Sequence, residues 1–542
     1  MKTDVLIVGA GPVGMLAGLF LSTQGVSSLI VERRFERLSA PKAHAVNPRT
    51  LEMCHQAGLS GDFIRSHGAP VSLSGDVRFV TGLGGTEFGS LPYERQTEAA
   101  RTITPFPLVN MSQPKFEGLI AAELHNRDNV GLLRGAECTS VRQHDAGVTA
   151  EITLRGVAQP LEVEAAYVIA ADGAGSPTRA ALGIDMEGPD ALENFIMIHC
   201  EGDLSAVTGD KPGVLYFAMD PAAPGSFIFF DDSKTWVFMR PYNPAEEPAT
   251  AFDEPRCRAE IAKAMGHADV PFKVRTISPW AMSAQIATRY RQGRVFLAGD
   301  AAHRFPPTGG LGLNTGAGDA QNLAWKLAYV LQGKAGDDLL NTYEAERRPV
   351  AQHNSAQSLM NAAKMFDLLA ALYGPDPATQ AEHFAALAKT PSQPKVRQGV
   401  EAQRPHFDSI RLQLGYRYGS SALVGSPDAP TDSEMDISKY EPSYEVGALL
   451  PHEWLADNTP ILEKLAANRF TLLQGCDASA PLCDGHQLAS FTYPTCWREK
   501  TGLPNEGALL IRPDGHIAAR YENLRAASHL THDLNTILAR KA

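Results

Sequence analysis

The first 32 residues follow a pattern of strand, glycine loop, helix and strand, and this pattern constrains the fold more than any other feature. The apolar, β-branched residues 4–8 predict a buried parallel strand. Residues 9–14 then read GAGPVG, a GxGxxG loop, and a helical pattern of apolar residues follows. Three glycines serve, in order, a tight turn, close approach of the backbone to a diphosphate, and close packing of helix on strand: Gly9, Gly11 and Gly14. The pattern predicts a Rossmann-like α/β fold.

Glu32, at the end of the second predicted strand, indicates which ligand the loop suits. It lies 18 residues beyond Gly14, where an acid commonly binds the ribose hydroxyls of a dinucleotide. A carboxylate repels a 2′-phosphate, so an unphosphorylated ribose is favoured, as in FAD or NAD. Taken without the strands, the helix and Glu32, the three glycines would also fit a glycine-rich turn that binds no ligand.

A second segment of similar character lies nearly three hundred residues later. Residues 294–298 predict a short buried strand, and Gly-Asp follows at residues 299–300. A loop rich in Pro and Gly leads from there to a predicted amphipathic helix over residues 317–331. Such an arrangement places an acid, Asp300, and exposed backbone N–H groups around a ligand. Two distant segments that suit one dinucleotide indicate a cofactor enzyme.

Composition excludes several other classes of protein. The chain has 49 basic and 61 acidic residues, a net charge of −12, so a nucleic-acid partner is not expected. Seven scattered cysteines without a CxxC pair fit reduced thiols in a cytoplasmic protein. No run of 18 apolar residues occurs, so we expect no membrane span. The histidines show no HxxxH or HxH pairing, so no metal site is predicted.

A third segment, residues 168–179, predicts a strand that ends at Asp172 and Gly173; a plain Asp-Gly turn is its alternative. Taken in order, the three segments resemble those of the FAD-dependent aromatic hydroxylases, the single-component (group A) flavoprotein monooxygenases. The chain is most similar to their phenol hydroxylase-like branch, which has a thioredoxin-like C-terminal domain.

The resemblance implies an α/β architecture of three domains. We predict a Rossmann-like FAD-binding domain over residues 1–180 and 286–395, the second part holding the Gly-Asp segment and long helices. An inserted antiparallel-sheet substrate domain is expected over residues 181–285, and a thioredoxin-like domain over residues 396–542. Six residues separate Cys476 from Cys483, so the last domain is expected to be structural or dimerising and not redox-active.

The resemblance also implies the chemistry. NADPH or NADH reduces FAD as a transient co-substrate, and O2 adds at the flavin C4a to give a hydroperoxide. Its distal oxygen hydroxylates a small phenolic substrate, and the enzyme is expected to be a homodimer. A Baeyer–Villiger-type or antibiotic-modifying monooxygenase acting on a polycyclic phenol or quinone is the alternative reaction. A flavin-binding protein that has lost turnover is the alternative outside enzymes.

Residues that match the family's cofactor contacts are spread over the whole FAD-binding domain. Arg49 lies in a stretch similar to the segment before the family's second long helix, and Gln113 matches a glutamine beside the flavin. The predicted cofactor contacts are Gly9, Gly11, Pro12, Gly14, Glu32, Arg33, Arg49, Gln113, Asp172, Gly173, Asp300, Pro307, Gly310, Gly312, Leu313 and Asn314.

The predicted substrate pocket draws on three short aromatic-rich strands at residues 214–219, 226–230 and 235–240. A sheet with aromatic side chains on one face suits the wall of an apolar pocket, although such side chains also fill cores. The predicted substrate-binding residues are Phe229 and Pro306, and the predicted catalytic residues are His44, Tyr216 and Arg240. His44 stands near the place where some phenol hydroxylases carry an aspartate, and an imidazole can accept a phenol proton near neutral pH.

Two further expectations concern charge. The run Glu344-Ala345-Glu346-Arg347-Arg348 is predicted to be a solvated helix face. His303, just after the Gly-Asp pair, is expected to support the loop and not to contact the ligand.

Overall fold

The computed structural model describes residues 1–37, 43–230, 234–266, 270–425, 436–475, 488–493, 497–523 and 527–540. Its α-helices are Pro12–Thr23, Pro48–Gln56, Gly61–Ser66, Val71–Ser74, Gln113–His125, Pro177–Ala181, Ser205–Thr208, Glu254–Met265, Leu311–Leu331, Thr342–Tyr373, Gln380–Ala388, Pro394–Glu401, Arg404–Phe407, Ile410–Leu414, Trp497–Thr501 and Ala527–Ile537. Within these ranges, every helix is too short or too polar to cross a membrane.

The first sheet forms the centre of the Rossmann-like part. Its strands lie in the order Arg291–Gln292, Val295–Leu297, Leu161–Ala170, Lys2–Val8, Ser28–Glu32 and Val130–Arg134, with Ala136–His144 and Gly147–Leu154 paired beside Leu161–Ala170. The strands from Val295–Leu297 to Val130–Arg134 are parallel. They are apolar on both faces because helices, including Pro12–Thr23 and Leu311–Leu331, cover one face and the Ala136–Leu154 hairpin packs near the other. The buried parallel strand predicted at residues 4–8 is confirmed as part of Lys2–Val8.

The second sheet contains the three predicted aromatic strands. Its order is Lys273–Met282, Glu193–Glu201, Thr235–Pro241, Gly225–Phe230, Leu215–Ala218, Asp76–Val80 and Glu87–Pro92. Neighbours are antiparallel, except that Leu215–Ala218 runs parallel to Asp76–Val80. We predicted that all of residues 1–180 belong to the FAD-binding domain. This was wrong for residues 76–92, because their backbone hydrogen bonds make them part of the second sheet.

The C-terminal part has a four-stranded sheet in the order Ala489–Thr492, Thr471–Gln474, Ala508–Ile511 and Ile517–Tyr521. The first two strands are parallel, and the last two form a hairpin, with Gly515 at φ +81° in its turn. Two small sheets complete the structure: Met186–Glu187 with Gln285–Ala287 and His303–Arg304, and Ala45–Val46 with Val109–Asn110. Cys476 and Cys483 lie outside the described residues.

The hairpin turn is held to the long helices by buried charges. Both Glu346 carboxylate oxygens accept from the Arg512 guanidinium, at 2.6 and 2.8 Å, and Lys326 Nζ lies 2.8 Å from the same carboxylate. Asp514 also binds Arg512, and it accepts from the indole N–H of Trp325 at 3.1 Å. These charged side chains are at most 2% exposed. The predicted solvated face at residues 344–348 was wrong for Glu346 and Arg347, because their partners come from segments remote in sequence.

Candidate functional site

A cavity of about 850 Å³ lies between the first sheet and the second. Its walls include residues 8–13 and 171–174, Asp300 and residues 305–308 and 310–313, which follow the carboxyl ends of three neighbouring parallel strands. These segments touch: a Cβ on Gly9 would meet Ala171 O at 2.3 Å, and one on Gly299 would meet Val13 Cγ2 at 2.9 Å. The three predicted ligand segments therefore converge on one site, as the ends of adjacent parallel strands do.

The glycines of the first loop have different surroundings. Gly9 has φ +105°, and a Cβ on Gly14 would lie 2.0 Å from Gly9 O, so both positions are closed by backbone contacts. A Cβ on Gly11 would meet no atom within 4 Å, and Gly11 and Pro12 line the cavity. Gly14 thus serves helix packing, whereas Gly11 leaves space for a ligand against the backbone.

Glu32 is fixed at the cavity wall by the backbone. Its Oε2 accepts from the Ala10 N–H at 3.0 Å, and its Oε1 accepts from the Arg34 N–H at 3.0 Å. Arg33 lines the same end of the cavity. A carboxylate held in this way has lone pairs left for a pair of ribose hydroxyls.

Two helices begin at the cavity without a side-chain cap. Gly11 precedes the Pro12–Thr23 helix, and Gly310, at φ +63°, precedes the Leu311–Leu331 helix; neither start has a capping side chain. The predicted start of the second helix at residue 317 was therefore six residues late. The first N–H groups of a helix have no intrahelical acceptor, and they favour negative charge. The start of the Pro12–Thr23 helix therefore suits a diphosphate. The start of the Leu311–Leu331 helix, with the N–H groups of Gly312 and Leu313, suits an anionic ring edge.

The aspartates of the Asp172-Gly173 and Gly299-Asp300 segments have different surroundings. Asp172 accepts from Ser176 Oγ at 2.5 Å and from the Thr178 N–H at 3.1 Å, and so fixes the turn that follows it. Gly173 has φ +87° and lines the cavity beside it. Asp300 is exposed and lines the cavity, where its carboxylate can bind ligand hydroxyls.

A buried network supports the loop that carries Asp300. Asp319 accepts from the Gly299 N–H at 3.1 Å, lies 2.6 Å from His303 Nε2, and binds Arg347 Nε at 2.9 Å. Burial alone raises the pKa of Asp319, but His303 and Arg347 outweigh it and hold that pKa below its usual range. His303 is 1% exposed, so the expected supporting position agrees with its place in the structure.

Besides Gly14, two predicted cofactor residues, Asn314 and Arg49, do not line the cavity. Asn314 Oδ1 accepts from the Asn47 N–H and from Thr50 Oγ1, and its Nδ2 donates to Ala45 O and Gly310 O. Asn314 thus joins the Gly310 loop to residues 45–50.

Arg49 instead binds Glu52 at 3.3 Å, Gln321 Oε1 at 2.7 Å and the Asp514 carbonyl of the C-terminal hairpin at 2.6 Å. It is 3% exposed and does not line the cavity, so direct cofactor contact is not supported for it.

His44 and Gln113 line the cavity on its other side. Gln113 Nε2 donates to Glu117 Oε1 at 2.8 Å. His44 Nδ1 lies 3.1 Å from Asn110 Oδ1, and Asn110 Nδ2 donates to Ser74 O and Gln96 Oε1. Because the amide nitrogen is already used by acceptors, its oxygen faces His44, which places the imidazole proton on Nδ1 and leaves Nε2 basic. Burial lowers the pKa of His44 below 6.5, partly offset by the Asn110 bond.

One face of the second sheet forms the apolar floor of the cavity. Its floor side chains include Phe195, Met197, Leu215, Phe217, Ile228, Phe230, Val237, Met239 and Trp280. Pro306 and Pro307 contribute from the Asp300 loop, and Met365, Phe366, Leu369 and Tyr373 from the Thr342–Tyr373 helix.

Tyr216, Phe229 and Arg240 occupy the opposite face, so placing them in the pocket was wrong. The Tyr216 hydroxyl donates to Lys211 O, Phe229 packs against Tyr216, and Arg240 binds Glu247 and Glu260. Alternate residues of a strand face opposite sides, and each chosen residue is one position away from a floor residue. The sequence did not separate the faces because the Glu254–Met265 helix covers the second one with apolar contacts.

Sequence reasoning also missed His406 and the helix residues at the far end of the cavity. His406 is 6% exposed, lines the cavity and stacks on Phe407 with ring centroids 4.2 Å apart. A histidine in a short helix after a polar linker carries no motif, so no local signal could have found it.

The residues present fit FAD. The space beside Gly11, the fixed carboxylate of Glu32, the two uncapped helix starts and exposed Asp300 lie along one continuous cavity. They offer, in order, partners for an adenosine ribose, a diphosphate, a polyol chain and a ring edge that carries negative charge.

Known proteins are similar to this chain over nearly its whole length. The FAD binding domain family matches residues 2–358, and the family described as aromatic-ring hydroxylase, C-terminal, matches residues 443–540. Aklavinone 12-hydroxylase RdmE of Streptomyces purpurascens is 32% identical over 99% of this chain and 98% of its own. The 2,4-dichlorophenol 6-monooxygenase of Delftia acidovorans is 29% identical over 96% and 95%. The crystal structure of the flavin-dependent monooxygenase PieE with FAD and substrate superposes with a TM-score of 0.92, at 30% identity and with full coverage of both chains.

Proposed function

The chain belongs to the FAD-binding aromatic-ring hydroxylases, and on that premise we propose that it is a monooxygenase that hydroxylates a phenolic substrate with FAD and NAD(P)H. The observation that carries this proposal is the cavity itself. One cavity joins the residues suited to a dinucleotide with the apolar floor of the second sheet, so a substrate ring on that floor would lie next to a bound cofactor.

The cofactor supplies the redox and oxygen chemistry, and the chain supplies position and charge. When FAD is bound, Glu32 would hold the adenosine ribose, the Pro12–Thr23 helix start would hold the diphosphate, and Asp300 would bind the polyol chain. The N–H groups of Gly312 and Leu313 would stabilise the negative charge that develops on the ring edge. The apolar floor excludes water from the reacting groups.

His44 is the proposed proton acceptor for the substrate hydroxyl. Its ring lines the cavity near Phe230, with centroids 6.0 Å apart. The lowered pKa keeps the imidazole neutral at pH 7, and the Asn110 bond leaves Nε2 as the acceptor. Removal of the phenol proton makes the ring more electron-rich and more reactive toward an electrophilic oxygen.

The test is direct. The purified protein should be yellow, should release FAD on denaturation, and should oxidise NAD(P)H faster when a phenol is added. Product analysis by mass should show one added oxygen on an intact ring. A colourless protein, or NAD(P)H oxidation that no phenol or polycyclic phenol stimulates, contradicts the proposal.

A polycyclic phenol or quinone is the second candidate substrate, with Baeyer–Villiger-type or antibiotic-modifying oxidation as its reaction. The length of the cavity favours this candidate, since the floor continues to Tyr373 and His406 beyond the Pro306 end. The named relatives include an aklavinone hydroxylase and a dichlorophenol monooxygenase. A lactone or ring-opened product would favour this reaction over hydroxylation.

The C-terminal part is proposed to be a thioredoxin-like domain without redox activity. The parallel pair Thr471–Gln474 and Ala489–Thr492, beside an antiparallel hairpin, supports that fold. We also propose a cytoplasmic homodimer. The free thiols of Cys54, Cys200 and Cys257 suit a reducing compartment, and light scattering of the purified protein tests the dimer.

A further inference from the structure

His406 is buried in the far end of the cavity. It is 6% exposed, and among the described residues its Nδ1 finds no donor or acceptor. Burial lowers its pKa to about 3, so the ring is neutral and offers one donor and one acceptor at any working pH. An unpaired imidazole destabilises the folded chain unless a ligand supplies the missing partner.

The second sheet fixes where His406 stands relative to His44. His44 lies by Phe230, and His406 lies by Phe217, with ring centroids 6.4 Å apart. Phe217 is paired in register with Ser226, at the opposite end of the strand that ends in Phe230. Ser226 and Phe230 are four residues apart, which is about 13 Å along a strand. The two imidazoles therefore stand over opposite ends of one floor strand.

The floor between them is lined mainly by apolar side chains. Leu215, Phe217, Ile228 and Met239 are apolar, and all line the same floor. A single phenol that reaches His44 cannot also reach His406, whereas a fused system of two or three rings lies flat across the floor.

Resting on the proposed function, we propose that His406 is a specificity residue that hydrogen-bonds an oxygen on an extended aromatic substrate, at the end remote from His44. The substrate class is a fused multi-ring aromatic with hydroxyl or carbonyl oxygens at both ends. Such an oxygen satisfies the buried imidazole, and an analogue without it leaves the ring unpaired.

The test compares two probes that differ only at the remote end: 2,6-dihydroxyanthraquinone and 2-hydroxyanthraquinone. Binding to the FAD-loaded protein is followed by the change in flavin absorbance, without NAD(P)H. We expect the wild type to bind the dihydroxy probe about 10-fold more tightly. In His406→Phe this preference should fall below about 3-fold, with the affinity for the monohydroxy probe unchanged, and His406→Gln should keep part of it.

His199→Phe is the matched control. His199 is 5% exposed, neither of its ring nitrogens has a partner among the described residues, and it does not line the cavity. Its variant should keep the full preference. If His406→Phe does not fold, His406→Met takes its place.

Equal binding of the two probes by the wild type, binding of neither, or an undiminished preference in the His406 variant overturns the inference. Because binding is measured without turnover, failure of the His406 inference can be distinguished from failure of the proposed monooxygenase reaction. A His406-dependent preference without stimulated NAD(P)H oxidation would leave this site in place and contradict the monooxygenase.

Discussion

Asp300 and Asp172 follow neighbouring strands of the same sheet, but their surroundings differ. The Asp172 carboxylate is bonded to Ser176 and Thr178, whereas Asp300 is exposed at the cavity wall. Asp300→Ala should weaken FAD binding by about 10- to 100-fold, because hydrogen bonds to a charged group are lost. Flavin retained after dialysis measures this, and Asp190→Ala, an exposed acid away from the cavity, should retain it fully. Equal retention by both variants would contradict the assignment.

His44 is a second residue whose role can be tested by a single substitution. Because its pKa is lowered below 6.5, its neutral form already predominates at pH 7, and the wild-type hydroxylation rate should reach its plateau at a lower pH than a solvent-exposed imidazole would give. In His44→Asn the phenol must ionise by itself, so the rate at pH 7 should fall by roughly 100-fold or more and rise toward about pH 10. His125→Asn, at an exposed helix end, should leave the pH profile unchanged. An unchanged profile in the His44 variant would assign this residue to packing.

Single residues also show what sequence can predict. The glycines and Glu32 were predictable because their partners lie within one strand–loop–helix unit. Arg49 was not, since its Asp514 partner is 465 residues away, and neither was Glu346, whose Arg512 partner is 166 residues away. Tyr216, Phe229 and Arg240 were placed on the wrong side because both faces of their sheet are covered. The strands themselves can be predicted from neighbouring residues. Which face of a strand lines the cavity depends on helices and loops that are distant in sequence.

At the scale of elements, the helices Arg404–Phe407 and Ile410–Leu414 are tied to the second sheet through Glu94. Its carboxylate accepts from Ser409 Oγ at 2.7 Å, from the Ser409 N–H at 3.3 Å and from Gln413 Nε2 at 3.0 Å. Burial raises the pKa of Glu94 to about 7, against these bonds. The attachment of the segment that carries His406 therefore depends on the protonation state of the Glu94 carboxyl.

The consequence is a pH-dependent stability. A carboxyl whose pKa is raised on folding binds more protons folded than unfolded, so stability falls as pH rises from its ordinary value, 4.5, to about 7. Urea unfolding should show roughly 2 kcal/mol lost over this range, and Glu94→Gln should remove most of that slope. Glu98→Gln, at a carboxylate that is 73% exposed, should keep the slope. A wild-type slope of the opposite sign would contradict the assignment.

At the scale of the whole molecule, buried charges join the last hairpin to the cofactor-binding helices. Arg512→Met removes the guanidinium shared by Glu346 and Asp514 and leaves two buried carboxylates, one beside the Lys326 ammonium and the other bonded to the Trp325 indole. The free energy of unfolding should fall by about 3–5 kcal/mol. Arg142→Met, at a guanidinium that is 70% exposed, should change it by at most about 0.5 kcal/mol. Equal midpoints in urea for these two variants would show that the hairpin is not needed for stability.

The attachment of Asp514 to Arg49 and of Arg512 to Glu346 has a consequence for biosynthesis. The ribosome synthesises residues 508–521 after all the segments that line the cofactor cavity, yet these residues supply the counter-charges of helices that border it. Loading of FAD should therefore follow the synthesis of this hairpin and not accompany the emergence of the glycine loop. A chain truncated before residue 508 should be unable to retain its flavin, and quality control would meet it as an apoprotein.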